Sequence, residues 1–191
     1  MSEAPSPPRA TRADAARNRE RLLDAAKAVF SAGGAEASLE AVARRAGVGI
    51  GTLYRHFPTR EALFDAVYRR EIDQLGELAE RLVADPDPVA ALRAWLHAQV
   101  HLIAAKRGMI EALQLATAGS ADLKAYSFER LTQALRLLME RAVAAQAIRA
   151  DVSAEDVLRA LVGMIYAQGG GDWRAAALRL VDVFVDGLRR G

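Results

Sequence analysis

The sequence predicts an all-α fold from its composition, its proline placement and its apolar periodicity. Ala, Leu and Arg make up 87 of the 191 residues, and all three have high helix propensity. The last of the six prolines is Pro88, so the remaining chain lacks the residue that most strongly interrupts helices. Apolar residues recur at intervals of three and four, which is the period of a helix with one buried face.

Glycines and prolines divide this periodic pattern into about nine predicted helices. The first carries Leu22, Ala26 and Phe30 on one stripe and ends at Gly33 and Gly34, because glycine commonly stops a helix. The predicted helices span residues 14–32, 38–46, 50–57, 60–84, 88–106, 109–118, 121–147, 154–168 and 172–189.

Capping residues support several of these boundaries. Ser38 is a plausible N-cap for the second helix, which ends at Gly47, and the third helix ends before Pro58. The clearest start signal is Ser153 followed by Asp156. This pair has the spacing of a capping box, with Asp in place of the usual Glu.

Composition also argues against several classes of function. The chain has no cysteine and three scattered histidines, and it carries no phosphate-binding loop, His-Glu-x-x-His motif or Gly-x-Ser-x-Gly elbow. We therefore predict that the protein is not an enzyme and uses no cofactor. The polar, proline-rich first stretch does not resemble a signal peptide, and no apolar run approaches about 20 residues. We expect a cytoplasmic protein with no membrane partner.

The charge distribution separates the chain into two units. Residues 15–60 carry eight basic and four acidic side chains, whereas residues 61–191 carry 16 basic and 18 acidic ones. Within the basic unit, two short predicted helices flank a glycine-containing turn of about three residues, which is the spacing of a helix-turn-helix. A basic unit of this kind favours a nucleic-acid backbone as its partner.

The run from Ser38 to Val67, SLEAVARRAGVGIGTLYRHFPTREALFDAV, resembles the DNA-binding signature of the TetR-type transcriptional regulators. The resemblance covers about residues 17–67. Two positions depart from the usual pattern, since Gly49 stands where a helix-capping Ser is common and Arg60 stands where Lys is usual. Arg60 keeps the charge that binds phosphate, so neither departure breaks the assignment.

The resemblance implies that the third predicted helix enters the major groove of DNA. Ile50 and Arg55 are the candidates for base contact, because Ile touches a thymine methyl and Arg pairs with guanine. Leu53 and Phe57 are expected to face inward. The residues expected to lie against the sugar-phosphate backbone or to let it approach are Arg44, Arg45, Gly49, Gly51, Thr52, Tyr54, His56 and Arg60.

Each of these side chains also has a purely structural interpretation. Tyr54 suits a packing aromatic, Arg44 and Arg45 suit a solvated face, and His56 suits a cation at a helix C-terminus. Taken as one run, they favour DNA binding.

By the same resemblance, residues beyond about 67 form a helical body that binds a small molecule and dimerises. His97 and His101 have the i, i+4 spacing of two metal ligands, but no third ligand is near in sequence, so no metal site is predicted. For each pocket candidate, an ordinary core position is the alternative. The residues expected to line a mostly apolar cavity are Trp95, His97, His101, Met109, Leu113, Tyr126, Phe128, Leu131, Met164 and Gln168.

The last two predicted helices are expected to form a four-helix bundle with the same helices of a second subunit. Leu180 and Val183 widen the apolar stripe of the final helix beyond one core-facing side. The alternative is a terminal hairpin covered by its own body. The predicted interface residues are Val157, Leu161, Ile165, Leu178, Val181, Phe184, Val185 and Leu188.

These features predict a ligand-responsive transcriptional regulator that binds double-stranded operator DNA as a homodimer. We interpret it as a repressor released from a palindromic operator by a small apolar or aromatic effector, with activation left open. The alternative from another class is a helical small-molecule carrier or interaction module whose DNA-binding unit is vestigial. The predicted units are a disordered tail over 1–13, a helix-turn-helix domain over 14–60, and a ligand-binding and dimerisation domain over 61–191.

Overall fold

A computed structural model describes residues 12–32, 37–113, 119–167 and 172–190. Within these ranges the chain forms eight helices and no strand, as the predicted all-α fold requires. Most of the predicted tail, the Gly33-Gly34 stop and residue Gln168 lie outside the described residues. The helices are α1 (Arg12–Ala32), α2 (Leu39–Ala46), α3 (Ile50–His56), α4 (Arg60–Leu82), α5 (Pro88–Leu113), α6 (Ala121–Ala144), α7 (Ala154–Tyr166) and α8 (Trp173–Leu188).

The helix α5 accounts for the difference from the predicted count of about nine. It runs through Gly108, where the sequence pattern predicts a break. A Cβ at Gly108 would lie 3.3 Å from the carbonyl oxygen of Phe30. The glycine therefore allows α1 and α5 to pack closely, and it does not end the helix.

Helices α1, α2 and α3 form a compact N-terminal unit around a shared apolar core. Leu22 and Phe30 of α1, Val42 of α2 and Leu53 of α3 are all buried within it. The hydroxyl of Ser38 accepts a 3.1 Å hydrogen bond from the amide of Ala41, so the predicted N-cap of α2 is confirmed.

The long helix α4 joins this unit to the rest of the molecule without a break. It packs against α1, α5 and α6. Three ion pairs tie it to α1: Lys27 to Glu71 at 2.6 Å, Arg70 to Asp24 at 2.9 Å, and Arg70 to Glu20 at 3.4 Å. The N-terminal unit and the helical body are thus connected by one continuous helix.

The body is built around α5, which packs against α4, α6 and α8. Asp87 begins α5 by accepting hydrogen bonds from the amides of Val89 and Ala90 through Oδ1, and these bonds lower the pKa of its carboxyl. The capping box of Ser153 and Asp156 is present at the start of α7, as predicted. No helix in the described ranges is long and apolar enough to cross a membrane.

Candidate DNA interface and ligand cavity

The turn between α2 and α3 is fixed by Gly47. This residue has φ of +66°, and its amide donates to the carbonyl oxygens of Ala43 and Arg44 at the end of α2. A Cβ at Gly47 would lie 2.5 Å from Nη2 of Arg21. The positive φ favours glycine here, whereas the Arg21 side chain is exposed and could move aside.

Helix α3 has one buried face and one solvent-facing face. Leu53 and Phe57 are 1% and 3% exposed, which confirms that they face inward. By contrast, Ile50 is 38% and Tyr54 is 46% exposed, and Arg55 is also exposed. An apolar residue and an aromatic residue left open on a short helix are suited to contact an external surface.

The side chain of Arg55 is held along the exposed face by its own helix. Its Nη2 donates to Oγ1 of Thr52 at 2.9 Å, and its Nε donates to the carbonyl oxygen of Gly51 at 3.3 Å. These two contacts leave other guanidinium N–H groups free to bind an acceptor. Arg55 is therefore oriented before any partner arrives.

The two glycines at the start of α3 are open to solvent. A Cβ at Gly49 or at Gly51 would meet nothing within 4 Å. Packing within the chain thus gives no reason for glycine at either position. Gly49 also leaves α3 without a side-chain N-cap bond, which is the structural consequence of its departure from the family pattern.

The remaining DNA-binding candidates lie around this face. Arg44 and Arg45 are exposed in the last turn of α2, and His56 is half-buried in the last turn of α3. Arg60, at the start of α4, donates from Nη1 to the carbonyl oxygen of Leu113 at 3.2 Å. Arg60 thus contacts the last residue of α5 as well as lying near the surface of the N-terminal unit.

A cavity of about 450 Å³ lies between α4, α5, α6 and α7, and we call it the body cavity. Its apolar side chains include Ile103, Phe128, Leu131 and Tyr166. Its polar lining residues are Tyr68, Gln99, Lys106, Lys124, Ser127 and Arg159. The mix of an apolar wall and a few polar groups is typical of a small-molecule site.

The structure brings only two of the ten predicted pocket residues, Phe128 and Leu131, to the body cavity. His101 lines a different cavity of about 540 Å³ between α1, α4, α5 and α8, which we call the junction cavity. Tyr126 donates from its hydroxyl to Asp73. Met164 is half-buried and lines neither cavity.

Four further pocket candidates are structural residues instead. Trp95, Met109 and Leu113 are buried in the core and line neither cavity. His97 is bound through Nε2 to Oδ1 of Asp182 at 2.8 Å. Their residue types match a pocket, but Trp95, Met109 and Leu113 point into the packed interior and His97 binds α8, which corrects the predicted assignment.

None of the six polar residues of the body cavity was predicted from the sequence: Tyr68, Gln99, Lys106, Lys124, Ser127 and Arg159. A signal existed on α5, since Gln99 and Lys106 share one helix face with Ile103 at intervals of four and three. Polar residues on an otherwise buried face mark such a site more reliably than aromatic residues do.

No group of three or more His, Asp or Glu side chains placed to hold a metal occurs in the described part of the chain. His97 is occupied by Asp182, while His101 lies in the junction cavity. The two histidines therefore take separate roles despite their i, i+4 spacing.

Most of the predicted dimer residues fall on the inward face of α7 and α8. Six of them are buried within the chain's own core: Val157, Leu161, Ile165, Val181, Val185 and Leu188. Leu178 and Phe184 are half-buried. The large apolar side chains that remain exposed on these helices are Val162, Tyr166, Leu180 and Val183. Both helices bury the apolar residues that recur at intervals of three and four against the body of the same chain. Only the additional apolar residues beside this stripe face outward.

The basic N-terminal unit, with the exposed face of α3 presented by a fixed turn, defines a helix-turn-helix DNA-binding protein. Residues 22–67 match the profile of the bacterial regulatory proteins of the tetR family, and residues 87–190 match the SbtR-like transcriptional regulator C-terminal domain. The chain belongs to the TetR family of transcriptional regulators.

Solved structures of similar proteins agree over nearly the whole chain. A TetR transcriptional regulator from Streptomyces coelicolor is 43% identical, with a TM-score of 0.71 over 90% of this chain and 98% of that one. A TetR transcription regulatory protein from Mycobacterium vanbaalenii is 35% identical, with a TM-score of 0.72 over 94% of this chain and 99% of that one.

Curated relatives match about a third of the chain. The HTH-type transcriptional repressor KstR of Mycolicibacterium smegmatis is 44% identical over 64 residues. That match spans 33% of this chain and 31% of KstR, so the chain matches less than a third of the length of this relative.

Proposed function

We propose that the protein is a transcriptional repressor that binds double-stranded operator DNA through α3. The observation that carries this proposal is the exposure of Ile50, Tyr54 and Arg55 on α3, a helix whose Leu53 and C-cap Phe57 are buried. An α-helix of this kind fits the major groove, where Ile50 and Arg55 meet base edges. Repression is favoured over activation by the similarity over 64 residues to a protein named as a repressor.

The positive charge of the same unit supplies the affinity for the DNA backbone. Residues 15–60 have four more basic than acidic side chains, whereas the body has two more acidic than basic ones. Arg44, Arg45 and Arg60 are the phosphate contacts in this proposal, with Thr52, Tyr54 and His56 as hydrogen-bond donors. Gly49 and Gly51 let the DNA backbone come close.

The protein acts as a homodimer in this proposal, because a symmetric operator needs two equivalent recognition helices. Leu180 and Val183 are exposed on α8, and the half-buried Phe184 lies on the same helix face. Val183 is 69% exposed, which is costly for an isolated apolar side chain and is relieved by a second subunit. Together these three residues form the proposed dimer surface.

A small apolar or aromatic effector binding in the body cavity releases the operator. Tyr68 of α4 lines this cavity, and the same helix begins at Arg60 beside the DNA-binding unit. An effector that binds better to a state with α4 displaced shifts the protein away from the DNA-binding state. The proposed domain limits, 14–60 and 61–191, therefore meet at the start of the coupling helix. Operator binding places the protein in the cytoplasm.

A gel shift with genomic fragments, beginning with the promoter beside the protein's own gene, tests DNA binding. Transcription in vitro from a bound promoter then separates repression from activation. Tyr54→Ala is expected to lower the affinity for the shifted fragment at least about tenfold. Leu137→Ala, which shortens an exposed apolar residue of α6, is expected to leave that affinity unchanged. A protein that shifts no fragment, with both variants folded, would favour the alternative of a ligand carrier with a vestigial DNA-binding unit.

A further inference from the structure

We propose that the body cavity takes an organic anion, a carboxylate carried on an apolar chain or ring, with its charged end at Lys106 and Lys124. This inference rests on the proposed function, because it names the chemical class of the effector. The proposed function describes the effector only as apolar or aromatic, and this inference adds a negative charge to it.

The charge of the lining is the first observation. Lys106, Lys124 and Arg159 line the body cavity, and none of the described residues that line it is acidic. This concentration of three positive charges lies in a body with more acidic than basic residues. Uncompensated positive charge around an apolar cavity favours a negatively charged ligand.

The two lysines are also without carboxylate partners. Among the described residues, no carboxylate oxygen lies within 4 Å of the ammonium of Lys106 or of Lys124. The junction cavity differs, since its Lys27 is paired with Glu71 at 2.6 Å. Of the two cavities, only the junction cavity thus has a lysine whose charge is neutralised by a described carboxylate.

Burial makes this arrangement costly without a ligand. Burial of Lys106, followed by the nearby positive charge of Lys124, lowers the pKa of the Lys106 ammonium. Its Nζ lies 4.8 Å from the ring centroid of Tyr68, a contact that stabilises the cation only in part. An anion between the two ammonium groups offsets both the desolvation and the repulsion.

The positions of the polar groups orient the ligand. Lys106 and Lys124 lie near the end of α5 and the start of α6, so they share one end of the cavity. Phe128 and Leu131 follow Lys124 along the cavity-lining face of α6 and supply the apolar wall. A carboxylate at the lysines therefore directs the apolar part of the ligand along this wall.

Gln99 places a second polar group in the body cavity, away from the end that Lys106 and Lys124 share. It is 2% exposed and lines the cavity, and its Oε1 has no hydrogen-bond partner among the described residues. Seven residues separate it from Lys106 on α5, which is about 10 Å along the helix. A buried acceptor without a donor is unfavourable, so a ligand with a hydroxyl or amide N–H at this distance from its carboxylate binds most tightly.

Calorimetry with pairs of probes that match in size and differ in charge tests the inference on the full-length protein. The probes are biphenyl-4-carboxylate and decanoate, each compared with its neutral primary amide at pH 7. Both carboxylates fit a cavity of about 450 Å³. We expect at least one carboxylate to bind at least about tenfold more tightly than its amide.

Variants locate the site and its charge. Lys106→Met approximates the length of the side chain and is expected to remove the preference for carboxylate over amide. Lys27→Met, in the junction cavity, is expected to leave that preference unchanged. Gly163 lines the cavity with open space around an added Cβ, so Gly163→Leu fills the site and is expected to abolish binding of both probes. Ala90→Leu adds bulk at an exposed position of α5 and leaves binding intact. Circular dichroism checks that each variant is folded.

Three results would overturn the inference: equal affinity for carboxylate and amide, preference retained in Lys106→Met, or no binding of any probe at millimolar concentration. The gel shift distinguishes this failure from failure of the proposed function, because it measures DNA binding without any probe. If a carboxylate binds as expected but does not change the gel shift of the DNA, the anion site would be supported and its role in operator release contradicted.

Discussion

Trp95 of α5 is joined to Leu75 of α4 by a 2.9 Å hydrogen bond from the indole Nε1 to the backbone carbonyl oxygen, and its ring has no solvent exposure. The bond and the buried ring connect the central helix of the body to the helix that enters the DNA-binding unit. Trp95 is thus a structural residue of the α4–α5 contact and does not line either cavity.

Trp95→Ala is therefore expected to lower the free energy of unfolding by about 3–5 kcal/mol, as typical for removing a large buried aromatic side chain. Urea denaturation followed by circular dichroism measures the change. Trp173→Ala is the control, because Trp173 is half-buried and its ring faces the Arg107 guanidinium at 4.6 Å, so its loss costs less. A Trp95→Ala protein of normal stability with impaired effector response would contradict this placement and restore Trp95 to the ligand site.

Arg60 is expected to contact a DNA phosphate while it donates a hydrogen bond to the Leu113 carbonyl oxygen. A guanidinium has five N–H donors, and among the described residues only the Leu113 carbonyl accepts from Arg60, through Nη1. Arg60→Ala should weaken binding to all DNA sequences alike and reduce the slope of log K against log salt by about one. Arg60→Lys keeps the charge and should keep the slope. A changed base preference in Arg60→Ala, with an unchanged salt slope, would refute the phosphate role.

Ile50 and Arg55 are expected to act differently, because they face the base edges. Replacing either with Ala should change which bases are preferred at one position of each half-site, at a cost of about 1–3 kcal/mol for Arg55. Binding to a set of operator fragments with single base changes measures this preference. Arg149→Ala, which removes an exposed arginine paired with Asp151 in the body, is the control. Uniform weakening across all fragments would assign Ile50 and Arg55 to the DNA backbone.

Val181 and Val183 form a matched pair on α8. Val183 is 69% exposed and lies on the proposed dimer surface, while Val181 is 1% exposed in the core. Val183→Asp should raise the dimer dissociation constant at least about tenfold and keep the fold, because the charge is buried only on association. Val181→Asp places the charge in the core and should unfold the protein. Sedimentation and thermal melting measure both effects, and a Val183→Asp protein that dimerises as wild type would exclude this surface.

The fold could be read from the sequence because capping and periodicity are local. Ser153 with Asp156 and the turn at Gly47 behave as their types and spacing predict. The one misplaced break, at Gly108, reflects a contact with Phe30 that is distant in sequence. Local chemistry does not reveal such a contact, so a packing glycine and a helix-ending glycine look alike.

The burial pattern of α3 was also predictable, whereas the cavity was not. The inward and outward faces of α3 follow from its period, with Leu53 buried and Tyr54 open. In the body, Trp95 and Gln99 are four residues apart on α5, and both are buried. Only the arrangement of α4, α6 and α7 decides that Gln99 meets a cavity and Trp95 meets packed side chains.

Hydroxyl-radical footprinting of the wild-type protein on a promoter fragment that it shifts tests the central claim most directly. The account predicts two protected half-sites related by a dyad, with centres one helical turn or a whole number of turns apart, because each subunit of a symmetric dimer presents one α3. Tyr54→Ala should remove protection from both halves together. A single protected patch without a dyad, or protection that survives in Tyr54→Ala, would contradict recognition of the operator by α3.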